Sequence, residues 1–185
     1  MKRFLFLPVV LSASISIAAD AESPLPPDQK AFTCTRCAEW NRHVEPYRLI
    51  ENSWYVGTEG LAAVLVVDEA GLILIDGGLP QSAAPILDNV RKAGFDPANI
   101  RWILNSHAHF DHAGGIAALA RITGARVAAG SDGVIALTRG PYSPGDPQAG
   151  YGESARFPAV TSVFAVDDGD VISVGKTRIT AIASP

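Results

Sequence analysis

Ser106-His107-Ala108-His109-Phe110-Asp111-His112-Ala113-Gly114-Gly115 is the stretch on which the reading of this chain turns. Three of the four histidines fall inside it, with a carboxylate between the second and third. Ahead of it, Trp102-Ile103-Leu104 reads as a short buried strand. Behind it, Gly114-Gly115 reads as a turn into a helix that carries Ile116, Leu119 and Ala120 on one face. The polar cluster therefore lies on a strand-to-helix loop, where α/β folds place their chemistry.

His107 and His109 alternate, so in an extended loop their imidazoles point the same way. Two nitrogens on one side are half of a tetrahedral zinc site. Asp111 and His112, after a bend at Phe110, address a second point a few ångströms away. Two metals about 3.5–4 Å apart can share a hydroxide formed near neutral pH. Zinc suits this mixture of imidazole and carboxylate, and iron or manganese stays open. A single loop histidine is ordinarily a surface or hydrogen-bonded residue, but three packed with an aspartate are not explained that way. His43 stands alone in a polar stretch and reads as that ordinary case. Asp76 ends a second buried strand, at Gly77-Gly78. Parallel neighbours would bring both loops to one edge, where its carboxylate would support a ligand histidine or the loop backbone. A plain turn aspartate before glycine is the alternative.

The 185 residues can build one domain with a real core, or two very small ones, and 48% apolar against 18% charged residues excludes a disordered chain. The net charge of -4 gives no basic footprint for nucleic acid. Lys2 and Arg3, the apolar run from Phe4 to Ile17, and Ala19-Asp20-Ala21 fit a cleaved secretory signal over 1–21, too short for a membrane span. The expected compartment is a periplasm or the exterior. Cys34 and Cys37 lack a thioredoxin-like strand–helix context, and only His43 lies near enough to complete a zinc knuckle. A local disulfide, or pairing with a partner outside the chain, suits an oxidising compartment better.

In order, 22–50 reads as an arm, loosely structured up to about Ala38, and 51–185 as the domain. Leu61 to Val67 is a continuous apolar run, expected to be a strand buried on both faces. Asp68-Glu69-Ala70-Gly71 turns it into Leu72-Ile73-Leu74-Ile75. A helix follows, with Ser82 as N-cap, Pro85 in its first turn, Ile86, Leu87, Val90 and Ala93 on one face, and Gly94 just past its end. Ala125 to Ala128 is a strand. Ser131 caps a helix through Thr138, with Gly140 as its stop. The stretch 140–158, rich in proline and glycine, has no apolar period and reads as a functional or mobile insert. Strands over 160–166, 171–174 and 177–183 close the chain. Strands, then strand–helix alternation, then strands imply an α/β fold: a sheet covered by helices on one face, with an apolar second face in need of cover.

His107-x-His109-x-Asp111-His112 resembles the signature of the metallo-β-lactamase fold superfamily. Trp40-Asn41, Trp54-Tyr55-Val56-Gly57-Thr58, Ile75-Asp76-Gly77-Gly78, Ser106 through Gly115, Gly145-Asp146-Pro147-Gln148 and, more weakly, Asp168-Gly169-Asp170 are similar to its subclass B3. The resemblance runs from about Cys37 to the end. It implies an αββα sandwich and a zinc hydrolase that opens the β-lactam amide of small-molecule antibiotics. It also implies one zinc on His107 and His109 and a second on Asp111 and His112. Asp111 orients the attacking hydroxide, and 140–158 flanks the substrate groove. A third histidine for each ion is implied beyond Pro185. The chain is thus expected to be an N-terminal fragment, with the C-terminal half of the sandwich missing. Two ligands per ion predict weak zinc binding, an exposed apolar sheet face and little hydrolysis by the chain itself. Alternatives are a glyoxalase II-like thioesterase or a lactonase of the same superfamily, or a non-catalytic zinc-binding fragment.

Overall fold

The computed structural model describes residues 26–139 and 145–184. The 1–21 signal segment and the Gly140 helix stop lie outside the described residues. Among the described residues, no helix is long and apolar enough to cross a membrane.

Seven strands form one sheet in sequence order: β1 (Tyr47–Ile50), β2 (Ser53–Tyr55), β3 (Val64–Asp68), β4 (Gly71–Ile75), β5 (Ile100–Leu104), β6 (Arg126–Gly130) and β7 (Val163–Val166). β1 to β4 form an antiparallel meander. From β4 onward the neighbours are parallel, joined by helical crossovers. A separate hairpin, β8 (Val171–Val174) with β9 (Thr177–Thr180), follows. The helices are a one-turn α1 (Cys37–Trp40), α2 (Ala83–Lys92), a one-turn α3 (Phe110–Ala113), α4 (Ile116–Thr123) and α5 (Ser131–Arg139).

One face of the sheet is closed. Leu65, Leu72, Leu74, Ile103 and Val127 meet Ile86, Leu87 and Val90 of α2 and Ile116 and Leu119 of α4 in a single core. Each such fully buried aliphatic side chain contributes about 1.5–3 kcal/mol. The period expected for α2 is present, and Gly94 follows it at φ 94°. Gly124 ends α4 in the left-handed conformation at φ 71°.

Three local readings need correction. Ser82 does not cap α2 through its side chain. Its hydroxyl accepts from Leu79 N at 3.0 Å and donates to Asn41 at 2.5 Å, so it ties the arm to the loop after β4. The 61–67 run starts its strand only at Val64 and is not buried on both faces. Leu65 is fully buried, whereas Val64 and Val66, which alternate with it, are half-buried. They face the side where the described residues offer only the two-stranded hairpin as cover. That hairpin is pinned by Asp68, whose Oδ2 accepts from Lys176 N, Thr177 N and Thr177 Oγ1, each at 3.0 Å.

The third correction concerns the arm, which is tied down. Cys34 and Cys37 are bonded to each other, the local one of the two pairings considered. Cys37 is buried with Leu61 and Leu79 in a small second core, against which Phe32, Trp40 and Phe110 pack. Phe32 stacks on Phe110 with centroids 4.5 Å apart and exchanges two 2.8 Å hydrogen bonds with the Gln81 side chain. β1, still within the arm range, is the edge strand of the main sheet.

Candidate metal centre

Two loops leave the same edge of the sheet. β4 and β5 run parallel with Ile75 beside Leu104, so Asp76 and Asn105 emerge together. The backbone then zips the loops to each other: Gly77 N donates to His112 O at 2.8 Å and Gly115 N to Gly78 O at 3.1 Å. This approach explains the paired glycines. A Cβ on Gly115 would collide with Gly77 O and come within 2.9 Å of Leu79 O.

Asp76 sits at the centre of the junction, 6% exposed. Its Oδ1 accepts from Asn105 Nδ2 at 3.0 Å and Ser106 N at 2.8 Å. Its Oδ2 accepts from Ser106 Oγ at 2.6 Å and His112 Nδ1 at 2.9 Å. The carboxylate thus holds both the loop backbone and a histidine. An ionised carboxylate only accepts, so His112 carries its proton on Nδ1 and turns Nε2 outward. His112 is raised above the usual histidine value, first by that hydrogen bond, although burial opposes it.

The three imidazoles of the loop meet. His107 lies edge-on to His109 with centroids 4.7 Å apart, and 4.0 Å from His112. By ring centroids, His112 approaches His107 more closely than His109 does. Burial lowers the His107 pKa, and the neighbouring His112 and His109 push it the same way. Its Nδ1 stands 3.1 Å from Ser106 Oγ. Asp111, in the first turn of α3, places Oδ2 at 3.9 Å from His112 Nε2. Tetrahedral zinc bonded at about 2.0–2.1 Å to each would hold them about 3.4 Å apart, so the pair must close by about 0.5 Å to share an ion. His43 stays on the surface, 2.7 Å from Glu45.

As donors, clustered imidazoles and a carboxylate fit a zinc ion in kind. They do not close a site: among the described residues, no three His, Cys, Asp or Glu side chains are placed to hold one.

One contact lies beyond any derivation from the loop. Asp146, in the proline-rich insert, meets His109 Nε2 with both oxygens, at 3.1 and 3.0 Å. It shares the Gly-Asp-Pro-Gln stretch quoted above, but no periodicity links it to a histidine 37 residues earlier. His107 and Asp146 also line a cleft of about 840 Å³ between the sheet edge and the β8–β9 hairpin.

The structure defines a mixed-sheet α/β domain with helices on one face and a histidine-rich loop at the carboxyl ends of its parallel strands. The chain belongs to the metallo-beta-lactamase superfamily, whose family model matches residues 56–185. Similar solved structures are subclass B3 metallo-beta-lactamases. One, described as having an active-site glutamic acid, is 46% identical with a TM-score of 0.83, covering 86% of this chain and 59% of its own. MEM-A1, from a soil metagenome library, is 45% identical with a TM-score of 0.75, covering 79% and 55%. BJP-1 of Bradyrhizobium japonicum is 42% identical with a TM-score of 0.74, covering 81% and 55%. An N-acyl homoserine lactonase of Bacillus thuringiensis is 31% identical over a match covering 28% of this chain and 30% of the lactonase. The chain therefore spans little more than half the length of the structures it matches, and less than a third of the lactonase.

Proposed function

We propose that this chain belongs to an exported, zinc-dependent hydrolase of the β-lactam amide bond. The observation that carries this reading is the meeting of His107, His109 and His112 beside Asp111, in a chain 46% identical to a subclass B3 metallo-beta-lactamase. His107 and His109 would hold one zinc, and Asp111 and His112 a second. What zinc supplies when bound is a depressed pKa for water and positive charge beside the reacting carbonyl. The chain's own residues do the rest. Asp76 orients His112, Asp111 directs the proton-bearing nucleophile as an acceptor, and the cleft beside His107 admits a small β-lactam. A periplasmic location follows from the 1–21 signal reading.

With two ligands within reach of each ion, the 185-residue chain holds zinc loosely and turns over slowly. Zinc stoichiometry by metal analysis, with hydrolysis of a chromogenic cephalosporin before and after chelation, tests both statements. Chelator-sensitive hydrolysis at a robust rate would overturn the weak-activity reading. Zinc binding that survives replacement of His107, His109 and His112 by alanine would overturn the site. The lactonase match supports a second substrate class. Parallel rates on a carbapenem, an N-acyl homoserine lactone and a thioester separate the readings, and a preference for the lactone or thioester would displace the β-lactam.

A further inference from the structure

We infer that Asp146 is a positioning residue for His109: the insert delivers a carboxylate that fixes the imidazole's tautomer and orientation and so selects Nδ1 as its metal-binding nitrogen. The inference rests on the reading of His109 as a zinc ligand. The contact is two-pronged, with Nε2 3.1 Å from Oδ1 and 3.0 Å from Oδ2, and both side chains are about four-fifths buried. A carboxylate can only accept, so the proton of neutral His109 is held on Nε2. Nδ1 then carries the lone pair.

The carboxylate is itself held in place. Gln148 N donates to Asp146 Oδ1 at 2.7 Å, and Ala149 N donates to Asp146 O at 3.0 Å. This turn aims the side chain before any ion arrives. The three histidines are then oriented by three different neighbours: Ser106 beside Nδ1 of His107, Asp76 on Nδ1 of His112, and Asp146 on Nε2 of His109. Asp76 and Ser106 belong to the two zipped loops, whereas Asp146 reaches in from 37 residues away. The irregular insert therefore has a task besides flanking the cleft: it sets the donor atom of one ligand. Carboxylate partners of this kind commonly alter metal affinity about 10–100-fold when removed.

Long-range ¹H–¹⁵N NMR of the chelated 185-residue chain, at a pH where the ring is neutral, reads the tautomer without any metal. The wild type is expected to show His109 protonated on Nε2, and Asp146→Ala to show a mixture. Zinc affinity, by competition with a chromogenic chelator, should fall about 10–100-fold in Asp146→Ala and recover substantially in Asp146→Glu. Asp146→Asn keeps an oxygen for the Gln148 amide but loses the charge, and should bind zinc with intermediate affinity. Wild-type tautomer and affinity in Asp146→Ala, or wild-type affinity in Asp146→Asn, would overturn the inference. A wild-type chain that binds no zinc overturns the metal reading instead, and the tautomer spectrum still decides whether Asp146 sets His109.

Discussion

Asp76 stands at φ 63°, in the left-handed region that aspartate tolerates better than most residues, and this conformation lets one carboxylate reach four donors. Its contact with His112 has a pH signature in the chelated chain. The His112 pKa is raised, so its contribution to stability is complete below the unfolded value of about 6.5 and is lost as pH rises through its folded pKa. The His107 pKa is lowered, chiefly by burial, so its contribution is complete above about 6.5 and is lost as pH falls below it. The two contributions together peak near pH 6.5. NMR titration is expected to place His112 above that value and His107 below it. Asp76→Asn, which accepts αL geometry but carries no charge, should flatten the alkaline slope of stability against pH, and should deepen the acid slope because the Asp76 charge also holds the His107 pKa up. An unchanged alkaline slope in that variant, followed by urea unfolding, would refute the assignment.

At the scale of elements, the strand–loop–helix unit around residues 100–123 was legible in the sequence, because apolar runs and paired glycines mark its boundaries. Asp76 and its parallel strand were legible for the same reason. Ser82 and Phe32 were not. Their partners, Asn41 and Phe110, lie across connections whose length and path no periodicity reveals. Asp146 is the extreme case: its local sequence forms only a turn, and its role exists only once the insert folds back. The two glycine pairs show how an element becomes a site, since the loops bond through their backbones at Gly77, Gly78 and Gly115. Gly115→Ala should therefore cost about 1–3 kcal/mol, the usual range for overpacking a closed contact. Gly130→Ala, where a Cβ would meet nothing within 4 Å, is expected to be near neutral. Denaturant midpoints of the two variants, compared at constant m-value, check the contrast. Equal stability would mean that the loops can part without cost, and the zipped junction would then not be what positions Asp76 beside His112.

For the molecule as a whole, the sheet divides into a closed face and a partly covered one. On the helical face Leu65, Leu74 and Ile103 are wholly buried. On the other, Ile73 and Ala128 are buried, but Val64, Val66, Ile75, Trp102 and Leu104 are only half-buried, and Phe164, packed edge-on against Trp102, is 48% exposed. Ile182 beyond the hairpin is 80% exposed. Continuous apolar runs in the strands implied a second apolar face in need of cover, and among the described residues the hairpin pinned at Asp68 covers only part of it. Contiguous apolar surface of this kind binds hydrophobic dyes and favours association. The 185-residue chain is expected to enhance the fluorescence of an anilinonaphthalene sulfonate dye in its native state and to self-associate as concentration rises. Phe164→Ser should reduce both. It also gives up an aromatic pair worth about 0.5–1.5 kcal/mol, so a modest fall in stability should accompany the gain in solubility. The helical face should be indifferent to the change, which amide exchange on α2 and α4 would report. Dye binding and sedimentation identical to wild type in Phe164→Ser would mean that the partly covered face is not where the chain associates.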